Sequence, residues 1–158
     1  KRVREYREQK ELVDSLVGRI NGELSDHDWE PIRYLYRTYN QSDLASFYRD
    51  ADVALVTPLR DGMNLVAMEY IASQEPEDPG VLVLSKYTGA AEYFPDTILV
   101  NPYIMESVAD GLERALTMSL PQRKSLYRST MHFIENNTAN DWANRFIGAL
   151  MDDHTYLV

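Results

Sequence analysis

The stretch "RDGMNLVAMEY", residues 60–70, follows directly on the apolar run "ADVALVTPL". Arg60, Asp61, Asn64 and Glu69 stand around one glycine, Gly62, where a bare turn needs only the glycine. Asn64 is a good N-cap, so a helix starting after it directs the N–H groups of Leu65, Val66 and Ala67 out of its first turn. A helix start of this kind favours an anion and suits a diphosphate. Gly62 lets the backbone approach a ligand closely. Glu69 lies four residues after Leu65, on the same helical face and one turn inward. A carboxylate there accepts two hydrogen bonds and fits a vicinal diol such as a ribose. Asp61, at the mouth, would accept from sugar hydroxyls. Each residue alone also has an ordinary reading: Asp61–Gly62 a turn, Asn64 a cap, Glu69 a solvated helix residue. Together at a strand end, the set favours a ligand site.

The elements that position this set follow from periodicity. Residues 2–20 predict an amphipathic helix, with Val3, Tyr6, Val13, Leu16, Val17 and Ile20 on one face and a stop within "GRING". "SDHDWEP" is a loop, "IRYLYRTY" (32–39) a strand ending near Tyr39, and 40–50 a short helix capped by Asn40 or Ser42. The apolar run at 52–58 predicts a central strand covered on both faces, and 64–74 a helix. "VLVLS" (81–85) is a second buried strand, "KYTGAAEYF" a loop with a helical turn, and "TILVNP" (97–102) a short strand. Helices follow at 104–118, 121–136 and 138–152, with Pro121 in a first turn. Strand–helix alternation means a parallel α/β sheet, whose ligands sit at the carboxyl ends of the strands. Loop 59–63 lies at such an end. A doubly wound sheet of this kind has five or six strands, and about four are legible here. The first strands of the domain are therefore expected outside this sequence.

Composition narrows the function. The chain has 158 residues, 44% hydrophobic and 26% charged, which fits one compact domain. A net charge of −9 argues against nucleic acid and anionic membranes as partners. No run is long enough to span a bilayer, and the charged start is no signal peptide. With no Cys and with His27, His132 and His154 scattered, neither a disulfide framework nor a metal-ligand spacing exists. A cytoplasmic protein is the simplest reading, and the sequons at 40–42 and 136–138 are then chance matches.

"LVTPLRDGMNLVAMEY" closely resembles the sugar-nucleotide-binding segment of the trehalose-6-phosphate synthases, retaining glycosyltransferases of the GT-B fold in glycosyltransferase family 20. The resemblance continues through "GRING", "GVLVLSKYTGAAEYF", "LVNPY" and "ALTMSLPQRK", and covers about residues 6–150. It implies a parallel-sheet, Rossmann-like half of a GT-B enzyme with its first strands absent and helices at the C-terminal end. Residues 1–158 would be a single partial domain, the C-terminal part of the donor domain, with the N-terminal acceptor domain absent.

Enzymes of this family transfer glucose from UDP-glucose to glucose 6-phosphate with retention, giving trehalose 6-phosphate and UDP. Carried over onto matching positions, Asp61, Gly62, Met63 and Asn64 would surround the glucose hydroxyls, with Asp61 positioning the reacting sugar. The N–H groups of Leu65 and Val66 would bind the diphosphate, and Glu69 the ribose. Tyr39 would stand beside the nucleotide, and Leu44 would pack near the uracil. Asn40 and Gln41 depart from the acidic–basic pair of the family pattern, which leaves UDP, ADP or GDP open. The resemblance places the Arg and Lys that stabilise the diphosphate, and the acceptor-phosphate Arg, before residue 1. The acidic balance follows, the chain alone is expected to be inactive, and no cofactor or metal is expected. It leaves room for a homo-oligomer.

Other residues have weaker claims. Arg60 suits an ion pair better than a diphosphate contact. Tyr87, Thr88 and Gly89 form a loop facing the same cleft, with Gly89 there for backbone geometry. Glu92 suits a structural role, accepting backbone N–H bonds. Trp29 and Trp142 suit packing, His132 a surface or core position, and "MDDHTYLV" a fraying end. The last helix, 138–150, is expected to expose an apolar stripe, because in GT-B enzymes it crosses toward the other domain. Two rival readings stand: a relative with another acceptor, such as a glucosylglycerol-phosphate synthase, and a non-catalytic regulatory module that kept the fold.

Overall fold

The structure is a computed structural model that describes residues 4–94 and 96–152, the side chain of Asp152 excepted. Val3, His154 and most of the C-terminal "MDDHTYLV" lie outside the described residues. The chain divides into two compact units, Lys1–Tyr39 and Asn40–Val158.

In the first unit, helix α1 runs Arg4–Leu24. It passes through "GRING" instead of stopping there. None of the described glycines takes a positive φ, so neither Gly18 nor Gly22 forms the left-handed cap that would end the helix. Asn21 instead spends its side chain on the following segment, accepting from the Ile32 N–H at 3.0 Å and donating to the Ile32 carbonyl at 2.9 Å. The segment 30–39 forms neither helix nor strand. Its β-rich composition needs a neighbouring backbone to make a ladder, and among the described residues none pairs with it. A single bridge, Asp26 with Trp29, closes the turn before it. Trp29 is exposed and makes no core.

The second unit holds α2 (Gln41–Asp50), β1 (Val53–Val56), α3 (Leu65–Ser73), β2 (Val81–Ser85), α4 (Ala90–Tyr93) and β3 (Ile98–Val100). Helices α5 (Met105–Leu116), α6 (Leu120–Glu135) and α7 (Ala139–Asp152) follow. The three strands form one parallel sheet in the order β1-β2-β3, with Val53 opposite Val81 and Val83 opposite Ile98. Among the described residues three strands stand where about four were expected, because the segment ending at Tyr39 is not one of them.

Period-two alternation along β2 builds both layers of the core. Leu82 and Leu84 face Ala67, Tyr70 and Ile71 of α3, with Ala90 and Phe94. Val81 and Val83 face the other way, with Ile98, Val100 and Ala115 of α5. All five β2 residues are buried, as an apolar run covered on both faces demands. β1 differs from expectation: it is an edge strand among the described residues, and Leu55 is exposed. Gly111 lets α5 lie close on the sheet, since a Cβ there would meet the Val100 side chain at 2.4 Å. Pro121 sits in the first turn of α6, with Ser119 and Gln122 capping it. Along α7, Trp142, Phe146, Ile147, Leu150 and Met151 are each more than half exposed, which is the expected stripe and removes Trp142 from the core. No helix among the described residues is long and apolar enough to cross a membrane.

Candidate functional site

The chain leaves β1 at Val56 and reaches α3 through the loop 57–64. Asp61 organises this loop. Its Oδ1 accepts from the Met63 N–H at 3.0 Å, and its Oδ2 accepts from the Asn64 side-chain amide at 2.9 Å. These two donors, the Met63 N–H first, hold the Asp61 carboxyl below its ordinary pKa. Asn64 caps α3 as expected, its Oδ1 accepting from the Ala67 N–H at 3.0 Å. The Ala67 N–H is therefore occupied, and the expected set of three open donors shrinks to Leu65 and Val66. Among the described residues these two N–H groups have no acceptor, and both residues are exposed.

Asn64 takes φ 75° and ψ 89°, the one positive φ at a non-glycine residue among those described. Asn is among the few L-residues that tolerate this region. Gly62 does not need its freedom for φ, and a Cβ there would meet nothing within 4 Å. Its bare side faces open space beside Met63, which is also exposed.

A second loop braces the first. Asp61 donates its N–H to the Tyr87 carbonyl at 3.2 Å, and its own carbonyl accepts from the Gly89 N–H at 3.0 Å. Asp61 and Thr88 thus form a parallel bridge past the end of the strands. The Met63 carbonyl accepts from the Ala90 N–H at 3.1 Å and from the buried Thr88 hydroxyl at 3.3 Å.

One turn into α3, Glu69 opens onto a cleft of about 420 Å³ between α2 and α3. Gln41, Leu44, Ala45, Tyr48, Ala72 and Ser73 line the rest of it. The walls are held by Arg49 Nε donating to the Ser73 carbonyl at 3.3 Å and by an edge-to-face pair of Tyr48 and Tyr70. Burial first, then the Glu69 carboxylate, pushes the Tyr48 hydroxyl pKa up. Leu44 and Glu69, which the resemblance assigns to the uracil and the ribose, line one cleft. Ala45 and Tyr48 were not singled out. Their signal is helical spacing, since Gln41, Leu44, Ala45 and Tyr48 recur on one face of α2.

Tyr39 lies in the first unit, where the Arg37 guanidinium donates to its hydroxyl at 2.7 Å and stands over its ring at 4.7 Å. Arg60 forms no ion pair among the described residues, against expectation. It sits exposed on the loop. Glu92 is also exposed and its carboxylate accepts no backbone N–H among the described residues, because the loop is already closed by Asp61 and Thr88. His132 is a surface residue.

The model of glycosyltransferase family 20 matches residues 1–152. A trehalose-6-phosphate synthase of Sodalis glossinidius is 45% identical over 148 residues, covering 94% of this chain and 32% of that protein. An E. coli structure bound with UDP-2-fluoro glucose is 44% identical with a TM-score of 0.91, covering 94% of this chain and 33% of that one. An alpha,alpha-trehalose-phosphate synthase (UDP-forming) from Burkholderia xenovorans, in complex with glucose-6-phosphate, is 41% identical with a TM-score of 0.91. It is covered over 33% of its length by 95% of this chain. The chain therefore spans about a third of the length of the relatives it matches. On the sequence match and the parallel α/β architecture alike, the chain belongs to glycosyltransferase family 20.

Proposed function

We propose that this chain is the C-terminal part of the donor-binding domain of an enzyme making trehalose 6-phosphate and UDP from UDP-glucose and glucose 6-phosphate. The observation that carries the reading is the start of α3. Two unpaired N–H groups, Leu65 and Val66, stand at a helix N-terminus, and Glu69 opens one turn on into a cleft shared with Leu44. That order of groups suits diphosphate, ribose and base in turn. The bound UDP-2-fluoro glucose and glucose-6-phosphate of the two related structures support the same substrates.

In this reading the Leu65 and Val66 amides take the diphosphate, Glu69 the ribose hydroxyls, and Leu44 the base side. Asp61, Gly62, Met63 and Asn64 surround the glucose. Each Asp61 carboxylate oxygen accepts one bond from the loop and keeps a lone pair for a sugar hydroxyl. Asp61 positions the sugar and is not a nucleophile. The acceptor hydroxyl attacks C1 on the face from which UDP departs. The bond from C1 to the diphosphate oxygen breaks, the new C1–O bond forms, and the hydroxyl proton passes to the leaving phosphate. Catalysis is then positioning and electrostatic stabilisation of the departing charge. A cytoplasmic setting belongs to the same proposal, since both sugar phosphates are charged and do not cross a bilayer unaided.

The test is transfer by the intact polypeptide, with products resolved by NMR. Trehalose 6-phosphate with the α,α linkage is expected. Transfer to a different acceptor, or UDP-glucose bound without turnover, would overturn the reading.

A further inference from the structure

We infer that Thr88 and Gly89 are positioning residues that hold the Asp61–Asn64 loop in its working shape, although neither reaches the cleft at Glu69. The inference rests on the proposed donor site for its kinetic consequences, but its geometry stands by itself.

Gly89 is the tightest point. A Cβ there would lie 2.1 Å from the Gly62 carbonyl oxygen and 2.9 Å from its carbon. Both are backbone atoms, so no side chain can swing aside. Gly89 itself has φ −59° and ψ −30°, which any residue adopts. Glycine is therefore required here by the neighbouring loop and not by the turn in which it sits. Any larger residue must push residues 61–63 away from the 87–89 loop, or forfeit the 3.0 Å bond from Gly89 N–H to the Asp61 carbonyl.

Thr88 closes the same contact from inside. It is 4% exposed. Its hydroxyl accepts from the Ala90 N–H at 3.0 Å and donates to the Met63 carbonyl at 3.3 Å. The Met63 carbonyl is thereby fixed one residue before Asn64, whose left-handed backbone aims the first turn of α3. Displacing Met63 rotates the Leu65 and Val66 amides, which share that turn. The sugar-facing loop and the diphosphate-facing amides are thus set by one brace drawn from the end of the next strand.

The test uses the intact polypeptide and two independent readouts. Amide hydrogen exchange of Asp61, Met63, Gly89 and Ala90, the hydrogen-bonded amides of the two loops, reads loop order without any substrate, and steady-state kinetics with UDP-glucose reads positioning. Gly89→Ala is expected to lower kcat/KM on the order of 100-fold, the scale of an ångström-sized misplacement. Thr88→Val is expected to lose about tenfold and to speed exchange of the loop amides, the scale of one hydrogen bond. Thr88→Ser, which keeps the hydroxyl, should restore both. Urea unfolding confirms that each variant is folded at the assay temperature, so a role in stability alone would leave the kinetics of the folded enzyme unchanged. Wild-type kinetics and exchange in both Gly89→Ala and Thr88→Val would overturn the inference. So would equal losses in Thr88→Val and Thr88→Ser. An unsubstituted protein without transfer activity, whose Thr88→Val variant still exchanges faster, would sink the proposed function and leave the brace standing.

Discussion

Asn64 concentrates the local physics of the site in one side chain, and replacing it separates two effects. Its Oδ1 caps the Ala67 N–H at 3.0 Å, its amide donates to Asp61 at 2.9 Å, and its backbone stands at φ 75°. Loss of a cap to alanine costs about 1 kcal/mol. Alanine in the left-handed region costs roughly a further 1–2 kcal/mol, a penalty that Asn largely escapes. Asn64→Ala is therefore expected to destabilise the unit by about 2–3 kcal/mol. Asn64→Gly keeps the permitted backbone and should cost under about 1 kcal/mol. Asn64→Asp keeps the cap but sets a second carboxylate against Asp61, so it should fall between the two and improve as salt is added. Urea unfolding followed by circular dichroism measures all three. Equal losses in the alanine and glycine variants would refute the claim that backbone strain at this position is real. No loss in either would refute the cap as well.

Two other perturbations read separate parts of the account. Tyr70 is fully buried and its hydroxyl donates to the Ala51 carbonyl at 3.0 Å, so Tyr70→Phe should cost about 1 kcal/mol in urea unfolding with an unchanged m-value. A neutral substitution would mean that this bond contributes nothing net. The loop donors that depress the Asp61 pKa give a signed pH dependence. Their stabilisation is fully present above the usual carboxylate pKa of about 3.9 and is lost as pH falls through the lower folded value. The Asp61 side-chain carbon shift should thus titrate below the ordinary carboxylate range, and a midpoint at or above that range would contradict the hydrogen bonding described.

How much could be read beforehand varied with the kind of signal. β2 and α3 were legible because their patterns are unambiguous: a run of four apolar residues, closed by a serine, that buries on both faces, and an Asn cap before an apolar turn. The segment 32–39 misled because its strand-like composition needs a partner backbone, which no local pattern reveals. Gly18 and Gly22 misled for the opposite reason, since a helix tolerates glycine when its φ stays negative. Within the site, Leu44, Asn64 and Glu69 could be proposed from spacing and resemblance. The occupied Ala67 N–H was implicit in the Asn64 cap, a local bond, but the left-handed Asn64 and the close approach of Gly89 to Gly62 could not be read. The close approach depends on where a second loop lies, and that is a tertiary fact.

The most direct test of the donor site is calorimetric titration of UDP-glucose into the intact polypeptide, with Glu69→Ala beside it. In the proposed site Glu69, which opens into the cleft with Leu44, takes the ribose hydroxyls. Removing one charged acceptor should weaken binding by about 1.5–3 kcal/mol, or roughly 10- to 100-fold in Kd. An unchanged Kd in a folded Glu69→Ala variant would take the nucleotide out of the α2–α3 cleft and contradict the assignment of this face as the donor site.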